Sequence, residues 1–175
     1  NDPGFIAPAG WSRVSDLTST GALRQAVYYR VATDSEPSAY TWALDTNTTR
    51  RLAGGLTAYS GVDTTDPING HGASIQTADS TAVSAPSLDA SMPDALLLHL
   101  AAVNAEGTIT PPEGMTERWE ASSPNPKNSR DALAASADVG IGGTGPTGVR
   151  TATTSQAGPS IAVALLLRPA PGGAS

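Results

Sequence analysis

The chain has 175 residues and a mass of 17.6 kDa, which suits one domain of ordinary size and would cramp two. Charged residues make up 15% of it, its 18 glycines and 14 prolines follow no three-residue period, and 10 Lys+Arg stand against 16 Asp+Glu for a net charge of −6. Those figures exclude collagen, a coiled coil and a charge-driven disordered tail, and with Lys127 the single lysine they argue against a nucleic-acid backbone binder.

The chain opens on Asn1 and not on Met, with no signal-like pattern, which predicts processing or further sequence upstream. From Leu23 to Val31, Leu23, Gln25, Val27, Tyr29 and Val31 alternate with Arg24, Ala26, Tyr28 and Arg30, the period of two of a half-buried strand. Tyr40, Trp42 and Leu44 alternate in the same way, and a third strand is expected from Leu52 through Leu56 to Tyr59. Asp66-Pro67 and Asn69-Gly70 mark a turn region. The Ser/Thr/Ala-rich stretch from Ala73 to Leu88 is too small-chained to build much core.

Ala95 to Val103 is an apolar run that reads as a central strand covered on both faces, with a short buried helix as the competing reading. Further strands are expected at Met115 to Ala121, Asp131 to Ala137, Gly148 to Thr154 and Ile161 to Leu167, the second of these suiting a helical turn equally well. The fold class that follows is all-β, a jelly-roll-like antiparallel β-sandwich forming one domain over residues 1–168, with a Pro/Gly-rich linker or tail at 169–175. The longest apolar stretch, Ala162 to Leu167, is far short of the ~18 to 20 residues of a membrane helix, so no membrane insertion is expected.

The two halves are related. Asn104 to Met115 echoes Asn1 to Trp11 with one residue inserted, Pro146 to Thr154 sits where Pro37 to Asp45 sits, and Ile161 to Leu165 sits where Leu56 to Ser60 does. In the second half the proline-glycine elbow is preceded by the Ala95 to Val103 strand, whereas its counterpart in the first half is missing. The expectation is that further sequence upstream, or a neighbouring chain, supplies that strand.

Chemistry-bearing motifs are sparse. Without Cys there is no disulfide, thiolate nucleophile or cysteine metal site, and His71 and His99 have no partners at metal-ligand spacing. His99, inside an apolar run, reads as a satisfied core histidine. The acidic pairs Asp63 with Asp66, Asp34 with Glu36, and Glu117 with Glu120 read as solvated loop charges. Gly140 to Gly145 satisfies G-x-G-x-x-G, but Pro146 follows at once and no helix opens there, so it reads as a loop between strands. Tyr59-Ser60-Gly61 lacks the leading glycine of a nucleophile elbow, and Asn47-Thr48-Thr49 is a glycosylation sequon. Trp11, Trp42 and Trp119 are expected in the core, with Tyr28 the best exposed aromatic. No catalytic, cofactor or metal residue is assigned, and any ligand-binding residue stays open.

Pro8-Ala9-Gly10-Trp11, the block from Ala26 to Trp42, Ala58 to Asp63 with Pro67-Ile68, and Pro112 to Trp119 together resemble a family of β-sandwich domains. That family is found in minor tail or fibre proteins on the virion surface of actinobacteriophages and in bacterial secreted surface proteins. The resemblance implies a non-enzymatic structural or adhesive role, on a virion surface or extracellular, and supplies no catalytic residues. The expected partners are other virion or surface subunits, including further copies of the chain as a homo-oligomer, and host-surface glycans. A carbohydrate-binding module of a secreted surface protein is the alternative.

Overall fold

The nine residues from Ala95 to Val103 form the central strand of the molecule. The computed structural model describes residues 4–19, 23–45, 50–123 and 131–172, and among them the chain is all-β, with no helix. In chain order the strands are β1 (Phe5–Ile6), β2 (Ser12–Ser19), β3 (Leu23–Tyr29), β4 (Ala43–Leu44), β5 (Ile68–Ala85), β6 (Asp89–Ala90), β7 (Ala95–Val103), β8 (Ile109–Thr110), β9 (Thr116–Ser123), β10 (Ala132–Ile141), β11 (Gly145–Pro146) and β12 (Arg150–Leu167). The largest sheet has the order β5-β12-β7-β10-β9, with β8 paired to β12 beside that path. Three smaller sheets pair β1 with β4, β2 with β3, and β6 with β11, and every pairing is antiparallel.

Alternation along β7 divides the interior into two layers. Ala95, Leu97, Ala101 and Val103 enter one apolar cluster with Leu133, Ala135, Ala162, Ala164 and Leu166. On the opposite face Leu98 joins Leu165 and Leu167, with Leu96 and Leu100 partly buried beside them. Val83, Ala85, Ile109 and Ala152 belong to the first cluster, while Val14, Tyr59 and Val62 pack against the second. The result is a β-sandwich. A Leu/Ala run that would suit a helix is held extended because β10 and β12 supply ladder partners along both of its edges.

The strands β5 and β12 are each 18 residues long. Their register shifts between Thr153 and Gly158 and again between Gly158 and Ser160, and such bulges bend a strand. On one side of the bend Ile161 pairs with Ile75 and Leu167 with Ile68; on the other Ala152 pairs with Val83 and Arg150 with Ala85. The first portion lies in the central sheet beside β7, and the second contributes Val83, Ala85 and Ala152 to the first cluster. Gly158 sits at the bend, where a Cβ would lie 2.5 Å from the Asn104 carbonyl oxygen.

Several sequence expectations are corrected here. Of Gly148 to Thr154, the residues from Arg150 onward belong with Ile161 to Leu167 to one continuous strand, and Ala132 to Ala137 lies in β10 and not in a helical turn. The Ser/Thr/Ala-rich stretch is strand for most of its length, and although its middle is exposed, Val83 and Ala85 are fully buried. Leu52 to Tyr59 forms no strand: Leu52 and Leu56 face solvent, and no described strand pairs with this segment. Of the Tyr40 to Leu44 run only Ala43 and Leu44 are strand. Pro169 forms a bridge with Val62, and the Ala170 N–H donates to the Gly61 carbonyl at 2.8 Å, so the start of the expected tail is tied to the sandwich. Lys127, the sequon at Asn47, and residues 173–175 lie outside the described residues.

The internal repeat extends to the hydrogen-bond register. Ser19↔Leu23, Thr18↔Arg24, Leu17↔Gln25, Asp16↔Ala26 and Ser15↔Val27 in the β2–β3 hairpin recur as Ser123↔Ala132, Ser122↔Leu133, Ala121↔Ala134, Glu120↔Ala135 and Trp119↔Ser136. Val14 is then skipped in the first hairpin and Arg118 in the second, after which Arg13↔Tyr28 and Ser12↔Tyr29 recur as Glu117↔Ala137 and Thr116↔Asp138. The elbows match as well. The Trp11 N–H donates to Pro8 at 3.4 Å across Gly10 at φ +85°, and the Met115 N–H donates to Pro112 at 3.0 Å across Gly114 at φ +75°, the turn geometry in which the third residue favours glycine. Phe5-Ile6 therefore aligns with Ile109-Thr110, each pairing with a strand far downstream.

Candidate functional site

The blocks Pro8 to Trp11 and Ala26 to Trp42 converge on one aromatic cluster. The first elbow delivers Trp11, β3 delivers Tyr28, and the segment leading into β4 delivers Tyr40 and Trp42. Trp11 meets Tyr40 at a centroid distance of 5.1 Å with planes 87° apart and meets Trp42 at 5.5 Å and 65°; Tyr28 lies 4.7 Å from Trp42. The two Trp11 contacts are edge-to-face, favoured by the quadrupoles of the rings, and the Tyr28–Trp42 pair is tilted at 56°. Arg30 completes the cluster from above Tyr40, 5.8 Å from the ring centre.

A carboxylate fixes the loop that carries Tyr40. Glu36 accepts hydrogen bonds from the Thr33 N–H at 2.6 Å, the Thr33 hydroxyl at 3.0 Å and Arg30 Nη2 at 3.2 Å, and it also accepts from the Tyr40 hydroxyl. The Thr33 N–H above all, helped by the Thr33 hydroxyl and the Arg30 guanidinium, holds the Glu36 carboxyl below its ordinary value against the opposing effect of desolvation. Its expected reading as a freely solvated loop charge is thereby corrected. Tyr28 is half-buried and donates to the Phe5 carbonyl at 3.4 Å. Trp42 is the more open ring, 37% exposed.

The tryptophans are not where the sequence placed them. Neither buried cluster contains one: the first is mostly Ala, Leu and Val with Ile109 and Met115, and the buried members of the second are Leu98, Leu165 and Leu167. Trp119 is half-buried over Gly55, where a Cβ would lie 2.3 Å from its ring, and its Nε1 donates to Thr57 at 3.1 Å. A close-packed interior built of these smaller side chains is filled without an indole.

A second polar cluster joins the halves of the molecule. Asp138, on β10 and 2% exposed, accepts Arg118 Nε at 2.6 Å and Nη2 at 2.7 Å, and its Oδ2 also accepts the Tyr59 hydroxyl at 2.8 Å. Burial pushes the carboxyl up, yet the Arg118 guanidinium and the Tyr59 hydroxyl outweigh it, so Asp138 titrates below the usual carboxylate range. The Tyr59 phenol is pushed up by burial and by Asp138. Both carboxylate oxygens are engaged, an arrangement that clamps strands and gives Asp138 no proton to donate at neutral pH. Nothing in the order of residues signals this cluster, because its three members come from three distant segments.

His99 is 2% exposed, and its Nε2 lies 3.0 Å from the Val83 carbonyl oxygen. A carbonyl only accepts, so Nε2 carries the proton. Burial pushes the imidazole pKa down, in keeping with its expected role as a satisfied core histidine. Next to it lies a cavity of about 10 Å³ lined by His99, Ser136, Glu117 and small apolar residues, room for roughly one water molecule and none for a sugar ring. Among the described residues no group of three or more His, Asp or Glu is placed to hold a metal ion. Gly140 and Ile141 end β10 and Gly145 opens β11, so the G-x-G-x-x-G run is a strand-to-strand connection. Comparison of the chain with models of known protein families, with curated proteins and with solved structures finds no match.

Proposed function

We propose that the chain is a non-enzymatic structural and adhesion module displayed on a virion surface, where it contacts neighbouring subunits or host-surface glycans. The observation that carries this reading is the β5–β12 ribbon. From Ala73 to Asp79 on β5 and at Thr151, Thr153 and Ser155 to Ala157 on β12, the side chains face solvent and are, apart from Asp79, uncharged and mostly small. An extended, rigid, nearly neutral surface of hydroxyl and amide groups suits shallow polar contacts repeated over many copies, where avidity raises a weak single-site affinity. The likeness of the Pro8 to Trp11 and Ala26 to Trp42 blocks to virion-surface sandwiches supports the same reading. Light scattering of the purified chain, together with a glycan array, tests it: oligomers or glycan binding are expected, and a stable monomer that binds no glycan overturns it.

A carbohydrate-binding module is the second reading, favoured by the exposure of Trp42 above the Trp11–Tyr28–Tyr40 cluster. An indole face at the rim of a rigid aromatic group is the element that stacks on a sugar ring. On this reading Trp42→Ala abolishes array binding while circular dichroism stays unchanged; array binding that survives the substitution assigns contact to the ribbon.

A further inference from the structure

We propose that the free edge of β3 is an acceptor lane for one extended apolar peptide strand with the chemistry of β7, running antiparallel to β3. The inference is independent of the adhesion reading and rests on the register of the repeat.

In the second half the hairpin β9–β10 continues into β7: Leu133 pairs with Val103, Ala137 with His99 and Ile141 with Ala95. In the first half the hairpin β2–β3 has the same register and the same bulge, but among the described residues no strand and no backbone hydrogen bond reaches β3 on the side away from β2. The backbone geometry that seats β7 is thus present twice and used once. An unpaired strand edge is a row of donors and acceptors ready for an added strand.

Burial follows the same asymmetry. The six residues from Leu133 to Asp138 on β10 are all buried, whereas every residue of β3 is only half-buried. Five of the seven large apolar side chains left exposed among the described residues, Ile6, Val31, Trp42, Leu52 and Leu56, lie ahead of β5. In the second half, β7 also pairs on its other edge with Ser160 to Leu167 of β12. The sequence counterpart of that segment, Leu56 to Ser60, is left without ladder partners and is not a strand. One absent strand accounts for the open edge of β3, the Leu52 to Tyr59 segment without a ladder partner, and the exposed aliphatic residues together. Buried polar atoms add to the picture: Ser15 Oγ, Ser19 Oγ and Gln25 Oε1, all on β2–β3, have no hydrogen-bond partner among the described residues.

The occupant is defined by what β7 does in the equivalent lane. It is about nine residues long, aliphatic at alternate positions, and carries small residues where β7 has Ala101 and Ala102. A second copy of this chain does not fit, because its β7 is already held between β10 and β12.

The probe is a synthetic peptide of the chain's own Ala95–Val103 sequence, flanked by lysines for solubility and added to the intact chain. Amide hydrogen exchange read residue by residue is expected to slow about tenfold or more at the β3 amides that do not bond β2, with β10 amides unchanged. A second protein, carrying the same nine residues linked ahead of Asn1, is expected to show the same protection without added peptide, and a version with aspartate at alternate positions is expected to show none. The proposal is overturned if neither form slows the β3 amides, if the aspartate version protects equally, or if the untreated chain already protects them through concentration-dependent dimers.

Discussion

Val14 and Arg118 are the same backbone position used twice. Each is the residue skipped when its hairpin shifts register, Val14 between Arg13↔Tyr28 and Ser15↔Val27, Arg118 between Glu117↔Ala137 and Trp119↔Ser136. Bulges re-aim a side chain, and the two sites have used that freedom differently: Val14 packs against the cluster of Leu98 and Leu165, while Arg118 grips Asp138. A shared frame has acquired a hydrophobic plug in one half and an ionic clamp in the other.

The clamp predicts a defined response to Tyr59→Phe. Removing a hydroxyl that donates to a buried carboxylate is expected to cost about 1 to 2 kcal/mol, read as a lower urea midpoint at unchanged slope. Because the Asp138 carboxyl titrates lower in the fold than its ordinary 3.8, its contribution is complete above pH ~4 and is lost as pH falls through the folded value. Asp138→Asn is expected to lower stability at neutral pH and to remove that part of the acid dependence; an unchanged acid profile would contradict the assignment.

His99 acts in a higher pH window. Its folded pKa is depressed below 6.5, so the unfolded chain binds the proton more readily and stability falls as pH drops below about 6.5. Thermal midpoints measured from pH 7.5 to 5 are expected to decline in the parent chain and to decline less in His99→Gln, which keeps an N–H donor for the Val83 carbonyl. Equal slopes in both proteins would remove His99 as the cause.

At the bend of the long ribbon, Gly158→Ala drives a methyl group to 2.5 Å from the Asn104 carbonyl oxygen. Backbone cannot swing aside as a side chain can, and a loss of about 1 to 3 kcal/mol is expected. Gly140→Ala is the matched control, since nothing lies within 4 Å of its added carbon, and its midpoint is expected to stay level or rise slightly.

The two halves differ in how much they contribute to stability. Leu97 is fully buried in the first cluster, and Leu97→Ala is expected to cost about 2 to 5 kcal/mol. Leu56 is 61% exposed in the unpaired segment, and Leu56→Ala is expected to leave the isolated chain within about 0.5 kcal/mol of the parent. Chemical denaturation of both proteins checks the contrast.

What was legible in the sequence was what local pattern controls. Alternation located β3, the apolar run located β7, and the proline-glycine elbows located both turns, because each is fixed by neighbours a few residues away. The ribbon was harder to see. The small polar residues of β5 carry no hydrophobic signature, and they are strand because β12 lies alongside them. Leu52 to Tyr59 shows the converse: its pattern is that of a strand, but the ladder partner that would make it one is not in the described fold. The aromatic and ionic clusters were illegible for a related reason, since Trp11 with Trp42, and Tyr59 with Asp138, are joined only by tertiary structure. The expected indole-filled core failed because alanine fills that space.

The doubled-over ribbon has a mechanical consequence. Since β5 and β12 pass through both the central sheet and the portion lying over it, the sandwich cannot open like a book without straining a continuous pair of strands along their length. Cross-links loaded in that direction share the load and yield together, whereas those of a hairpin peeled from its end yield one by one. A chain built this way should resist a lateral tug on its surface until it gives way abruptly, with β2–β3 the part that peels first.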